Sequence, residues 1–183
     1  MLEVELKARI ADPGAVERRV AAFARFVKKV DKSDSYWHGP GWRDRRGTRG
    51  FRVRSEGDSF VVTFKSKRLE GGFEMNQERE FEISDPAVFD EFVARIGCEP
   101  YYRKRKVGSA YEYEGMTLEI LQVEGAGTFL EIERLLPTDS PAALEAARAG
   151  LKAALAKAGV PESAIEKRTY SELILGAEGV SVP

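Results

Sequence analysis

Glu3-Val4-Glu5-Leu6-Lys7 opens the chain with two carboxylates and an ammonium at alternate positions, so all three project from one face of an extended strand. The device recurs. Arg52 and Arg54 share a face opposite Phe51 and Val53, and Lys65 ends the run Phe60-Val61-Val62-Thr63-Phe64. Glu78, Glu80 and Glu82 share a face opposite Arg79, Phe81 and Ile83. Arg103-Lys104-Arg105-Lys106 is a basic cluster, and Glu131 and Glu133 flank Ile132. An ordinary half-buried sheet turns a mixed, solvated face to water. If strands of this kind close into a barrel, their charged faces converge on one interior. Cations there suit a polyanion. A triphosphate carries about four negative charges, more than one lysine neutralises, and arginine adds bidentate contacts to phosphate oxygens. The carboxylates would repel such a ligand unless a divalent metal came between, and hard oxygen donors favour Mg²⁺ or Mn²⁺. The plainer alternative is a set of cross-strand salt bridges on a solvated sheet face.

The elements that would position these residues are strands punctuated by three helices. Leu2, Val4, Leu6 and Ala8 alternate with charged residues, which is the period of a strand. Asp12-Pro13 opens a helix as N-cap and first residue, and Val16, Val20, Phe23, Val27 and Val30 extend it at helical spacing. A second helix starts at Ser84-Asp85-Pro86 and stops near Gly97; a third starts at Asp139-Ser140-Pro141 and stops near Gly159. Strand-like runs lie at 50–55, 60–66, 77–83, 103–107, 110–114, 117–123 and 128–134. Glu3-x-Glu5, Glu80-x-Glu82 and Glu131-x-Glu133 each run into a proline-started helix. That is either a duplicated unit or the ordinary liking of strand-to-helix joints for proline.

With 183 residues, 43% of them hydrophobic and 32% charged, the chain can bury a core and is not of disordered composition. Its 29 basic and 30 acidic residues nearly cancel, which disfavours a nucleic-acid binder with a basic exterior. No apolar run approaches the roughly 20 residues that span a bilayer, and the charged N-terminus lacks a signal-peptide core, so the cytoplasm is the expected setting. A lone cysteine, Cys98, and a lone histidine, His38, make disulfides, multi-cysteine zinc sites and histidine-based catalysis poor bets. Chemistry falls to Glu, Asp, Lys and Arg.

The Glu3-x-Glu5-x-Lys7 signature resembles that of the CYTH superfamily, the triphosphate tunnel metalloenzymes. The resemblance continues through Asp34-Ser35-Tyr36, Phe51-Arg52-Val53-Arg54, Thr63-Phe64-Lys65 and Arg79-Glu80-Phe81-Glu82. It resumes at the basic run from Arg103, at Val123-Glu124-Gly125-Ala126-Gly127 through Glu133, and at Tyr170-Ser171-Glu172-Leu173. It covers residues 1–175 as one domain, with a fraying tail at 176–183, and looks most like the class IV adenylyl cyclase subgroup, whose members are often homodimers.

The resemblance implies an α+β protein: an eight-stranded antiparallel β-barrel, open at both ends, with flanking helices and the substrate inside. Lys7, Arg52, Arg54, Lys65 and a member of the 103–106 cluster would grip phosphates, with Lys7, Arg54 and Lys65 acting in catalysis. Within the cluster Lys104 is favoured, with Arg103 and Arg105 the alternative pair. Glu3, Glu5, Glu131 and Glu133 would hold Mg²⁺ or Mn²⁺, supported by Glu80 and Glu82. One departure bears on the reaction. Where the cyclase-like subgroup usually has an Asp, this chain reads Leu121-Gln122, and Glu119, on the same strand face as Leu121, could stand in one rung away.

The implied activity is cyclisation of ATP to cyclic AMP and pyrophosphate. The alternatives are hydrolysis of inorganic or thiamine triphosphate, and a non-catalytic nucleotide- or polyphosphate-binding module. Two further motifs read as loops. Gly71-Gly72-Phe73-Glu74 is a surface loop or a lid over the tunnel mouth. The stretch from Tyr36 to Arg43 is a Gly/Pro loop whose aromatics pack on the rim or stack a base, with His38 a loop residue and Cys98 a packing residue.

Overall fold

The computed structural model describes residues 1–40 and 50–177. Eight strands form β1 (Leu2–Arg9), β2 (Arg25–His38), β3 (Phe51–Glu56), β4 (Ser59–Glu70), β5 (Phe73–Glu82), β6 (Glu99–Tyr113), β7 (Met116–Val123) and β8 (Gly127–Leu136). They close into an antiparallel barrel in the order β1-β5-β4-β3-β2-β6-β7-β8, leaving no free sheet edge. Helices α1 (Pro13–Ala21), α2 (Pro86–Arg95), α3 (Pro141–Lys157) and α4 (Tyr170–Ala177) lie around it. Asp12, Asp85 and Ser140 cap the first three through side-chain bonds to backbone N–H groups, with proline in the first turn of each. Among the described residues no helix is long and apolar enough to cross a membrane.

The barrel is built inside out relative to a common sandwich. Its apolar faces point outward and are buried in part under helices, while Phe64, Phe81 and Val107 stay exposed. Val4, Leu6, Leu118, Ile120, Leu130 and Ile132 pack under α1 and α3 with Val20, Leu151 and Leu155. Val53 and Val62 pack with Val93 of α2 and with Trp37 and Cys98. A third cluster lies at one end of the barrel, where Leu173 and Ile174 of α4 meet Val30, Leu121, Val123 and Phe129. That end is stoppered by apolar side chains, so the tunnel is not open at both ends.

Several elements differ from the sequence reading. The first helix ends at Ala21, and Val27 and Val30 belong to β2 rather than to its continuation. The 103–107 and 110–114 runs are one strand, because Gly108 carries the chain past β7 where any Cβ would lie 1.9 Å from the Ile120 carbonyl oxygen. The expected loop at 71–74 is a tight hairpin: Gly71 and Gly72 both take positive φ, and β5 begins at Phe73. Tyr36, Trp37 and His38 end β2 and are not loop residues, whereas Trp42 and Arg43 fall outside the described residues. Most of the tail does too, although α4 continues through Ala177.

Candidate functional site

The inner face of the barrel encloses a cavity of about 770 Å³ lined almost entirely by charged and aromatic side chains. Strand alternation puts Glu3 and Glu5 of β1 on that face, with Lys32 and Tyr36 of β2 and Arg52 and Arg54 of β3; Lys7 and Asp34 share the inward face but are buried and do not line the cavity. It adds Thr63, Lys65 and Lys67 of β4, Glu74, Glu78 and Glu80 of β5, and Lys104 and Lys106 of β6. Glu119 of β7 and Glu131 and Glu133 of β8 complete the ring. Cross-strand register decides who meets whom. Asp34 stands directly opposite Arg54 on one neighbour and Lys104 on the other, Glu5 opposite both Glu74 and Glu133, and Glu131 opposite both Lys7 and Glu119.

Three networks fill the wall. In the first, Arg54 donates two hydrogen bonds, of 2.7 and 3.0 Å, to the two oxygens of Asp34, a buried carboxylate that also faces Lys104 at 3.4 Å. Lys104 donates to the Tyr36 hydroxyl at 2.9 Å, and Arg52 donates to Thr63 Oγ1 at 2.8 Å. In the second, Lys7 donates to Glu74 at 2.8 Å, Lys67 bonds the other Glu74 oxygen, and Lys65 meets Glu78 at 2.6 Å. In the third, Lys106 donates to both oxygens of Glu131 at 2.7 and 2.6 Å, the Tyr170 hydroxyl donates to the same carboxylate, and Lys32 meets Glu119 at 2.6 Å.

A CYTH domain profile matches residues 1–170. The chain belongs to the CYTH domain family. It is 30% identical over 135 residues to a Methanocaldococcus jannaschii protein named as a candidate adenylate cyclase, covering 73% of this chain and 77% of that protein. A Pyrococcus furiosus structure described only as a conserved hypothetical protein superposes with a TM-score of 0.78 at 30% identity, over 94% of this chain and 99% of that one. A Hippeastrum candidate adenylyl cyclase, described as having a dominant triphosphatase activity, shares the fold with a TM-score of 0.67 at 22% identity, over 99% of this chain and 98% of that one. The barrel is thus the CYTH triphosphate tunnel, and tunnel metalloenzymes of this family use divalent metals.

Charge in this CYTH tunnel is unevenly balanced. Burial works against the Glu131 carboxylate, yet Lys106 and the hydrogen bonds from Lys106 and Tyr170 hold it down to about 2. Asp34 and Glu74 are likewise held well below the usual carboxylate range by their cations despite burial. Glu5 is the opposite case. Burial, then repulsion from Glu131, Glu74 and Glu3, pushes it up to about 8, and Glu133 rises to about 7 through burial and the charges of Glu3 and Glu119. Glu3 is raised too, by burial first and Glu78 second. These three carboxylates form the face that the side-chain cations leave under-neutralised, and that donor set fits a divalent ion. Among the described residues no three acidic, imidazole or thiolate groups can by themselves hold a metal ion. A divalent ion at this face would need oxygen donors beyond these carboxylates, such as substrate phosphates.

The basic run resolves by alternation. Lys104 and Lys106 point into the tunnel, whereas Arg103 and Arg105 point out, Arg105 pairing with Asp31 on the surface at 2.8 Å. The alternative pair Arg103 and Arg105 is therefore displaced from the site, because adjacent residues of a strand face opposite sides. Glu80 reaches the cavity beside Arg52, at 3.6 Å, while Glu82 lies exposed beyond the cavity lining. Glu119 lines the tunnel, but Leu121 is fully buried in the apolar stopper with Phe129 and Tyr170. Sequence reasoning gave no role to Lys32 or Lys67, placed Glu74 in a loop and Lys106 in the 103–106 basic cluster without singling it out, and named Asp34 and Tyr170 only inside family segments. Their signal was alternation within strands whose extent was misjudged.

Proposed function

We propose that this CYTH protein is a divalent-metal-dependent enzyme acting on a nucleoside triphosphate, and that its reaction is cyclisation of ATP to cyclic AMP with release of pyrophosphate. The observation that carries the triphosphate reading is the row Arg52, Arg54, Lys104, Lys106 and Lys65 along one cavity. The nucleoside part of the reading is supported by Tyr36, Trp37, Phe51, Tyr101 and Tyr102, which line the same cavity as two stacked pairs, Tyr36 on Tyr102 and Trp37 on Phe51, with Tyr101 beside them, the kind of aromatic surface on which bases stack. Asp34 fixes the Arg54 fork, so its guanidinium meets phosphate oxygens with little reorganisation.

Glu3, Glu5, Glu131 and Glu133 are the carboxylates among which one or two would hold the metal, Mg²⁺ or Mn²⁺, with substrate phosphate oxygens as its remaining donors. When bound, the ion supplies Lewis-acid charge at the reacting phosphoryl group. Lys7, Arg54 and Lys65 with Arg52 and Lys104 neutralise the charge that builds on the departing pyrophosphate as the 3′-oxygen attacks the α-phosphorus. The bond from the α-phosphorus to its bridging oxygen breaks, its electron pair leaves with pyrophosphate, and the ribose hydroxyl proton passes to solvent water.

A second reading, hydrolysis of the terminal phosphate of inorganic or thiamine triphosphate, is favoured by Leu121. The stopper around this side chain leaves no carboxylate at a position where the cyclase-like subgroup usually has one, and Glu119 is committed to Lys32. Product analysis separates the two. With Mg²⁺ or Mn²⁺, cyclic AMP plus pyrophosphate from ATP supports cyclisation. Orthophosphate from ATP, tripolyphosphate or thiamine triphosphate selects hydrolysis. Binding without turnover leaves a polyphosphate-binding module.

A further inference from the structure

Tyr170 is the one aromatic ring on which three tunnel lysines converge among the described residues. The ammonium groups of Lys104 and Lys106 lie 4.8 Å from the ring centroid and that of Lys7 lies 5.3 Å away. These lysines come from β1 and β6, which are not neighbours in the barrel. The ring itself is held edge-on against Phe129, with centroids 5.2 Å apart, and its hydroxyl donates to Glu131. Three ammonium groups gathered in a low-dielectric tunnel repel one another, and the negative face of an aromatic ring offsets that repulsion without neutralising the cations. Each ammonium also has a carboxylate of its own, Glu74 for Lys7, Glu131 for Lys106 and Asp34 for Lys104. The shared ring attracts all three at once without adding a further negative charge to the tunnel.

The ring is delivered by the first turn of α4. Thr169 and Glu172 form a reciprocal cap there, the Glu172 carboxylate accepting from the Thr169 N–H and the Thr169 hydroxyl accepting from the Glu172 N–H at 3.3 Å. Leu173 and Ile174 anchor the helix in the stopper. Thr169, Tyr170, Ser171 and Glu172 therefore form part of the cavity wall, while Leu173, Ile174 and Leu175 are packing.

We infer that Tyr170 is a positioning residue of the anion site: its ring holds Lys7, Lys104 and Lys106 in the array that receives a triphosphate, making the first turn of α4 part of the site. The inference rests on the triphosphate reading of the tunnel. The test is metal-free calorimetric titration with inorganic tripolyphosphate, comparing wild type with Tyr170→Phe, Tyr170→Leu and Leu173→Ala. Tyr170→Phe keeps the ring and should stay within about threefold of wild type. Tyr170→Leu should weaken binding about tenfold or more. Leu173→Ala loosens the anchor of the same helix but keeps the ring and its bond to Glu131, and should weaken binding clearly less than Tyr170→Leu.

If Tyr170→Leu binds as tightly as wild type, or if Leu173→Ala weakens binding as much, the ring has only a packing role and the inference falls. Should the leucine variant not fold, site-specific fluorination of the tyrosine ring keeps its shape and drains its π face, and unchanged affinity then overturns the inference. Failure of wild type itself to bind tripolyphosphate would instead defeat the triphosphate reading.

Discussion

Replacing Glu5 by Gln should stabilise the metal-free protein at alkaline pH, although Glu5 lies deep in the barrel. An ordinary carboxyl titrates near 4.5, and burial with the charges of Glu131, Glu74 and Glu3 raises Glu5 to about 8. A folded state that holds its proton more tightly than the unfolded chain is favoured at low pH. The stability linked to Glu5 is therefore fully present below about pH 4.5, is lost as pH rises toward 8, and stays lost above it. The full difference corresponds to about 5 kcal/mol. Water in the open end of the tunnel and relaxation of nearby lysines screen it to about 1–3 kcal/mol. Urea denaturation in EDTA at pH 5 and pH 9 measures the gap. Glu5→Gln should exceed wild type by that amount at pH 9, a gain of about 2–4 °C per kcal/mol in Tm, and the advantage should shrink at pH 5. Added Mn²⁺ should raise wild type at pH 9 and leave the variant nearly unmoved. A variant less stable than wild type at pH 9, or a gap independent of pH, would refute the reasoning.

Glu131 and Glu133 should respond oppositely to the same substitution. Glu131→Gln breaks the Lys106 and Tyr170 contacts and should cost about 2–4 kcal/mol at pH 7, whereas Glu133→Gln removes a repelled charge and should be neutral or stabilising at pH 9, both read by urea titration. Because Glu131 is held down to about 2, its contribution is present above pH 4.5 and lost as pH falls toward 2. Arg54→Ala strips the bidentate partner from buried Asp34 and should cost about 2–4 kcal/mol, with Arg54→Lys recovering part of it, again by denaturation. Leu121→Asp, which would restore the cyclase-like carboxylate, buries a charge in the apolar stopper and should cost more than about 3 kcal/mol or open that end of the barrel, visible as loss of α4 protection in hydrogen exchange.

The strands most legible in the sequence were those whose outward face is apolar and whose inward face is charged in strict alternation, such as β1 and β8. The three proline-started helices were legible because capping is local chemistry. β2 was not. Val16, Val20, Phe23, Val27 and Val30 fall at helical spacing by coincidence, while β2 itself carries Lys32, Asp34 and Tyr36 inward and charged or polar residues outward. A barrel with a polar lumen erases the apolar alternation by which strands are usually recognised. The same erasure hid the register of β6, where Arg103, Lys104, Arg105 and Lys106 are all cationic and only pairing with β2 decides which face the tunnel. Asp34, Glu74 and Lys67 followed from strand extents that spacing alone could not fix. Tyr170 reaches the tunnel from a helix remote in sequence, through tertiary packing that no local pattern records.

Diffraction from crystals grown with Mn²⁺ and tripolyphosphate, with anomalous data at the manganese edge, tests the central claim most directly. The account predicts a manganese peak beside the carboxylates of Glu3, Glu5 and Glu133, with phosphate oxygens against Arg52, Arg54, Lys65 and Lys104. A peak away from those carboxylates, or tripolyphosphate bound only on the outer surface with the tunnel salt bridges intact, would contradict it.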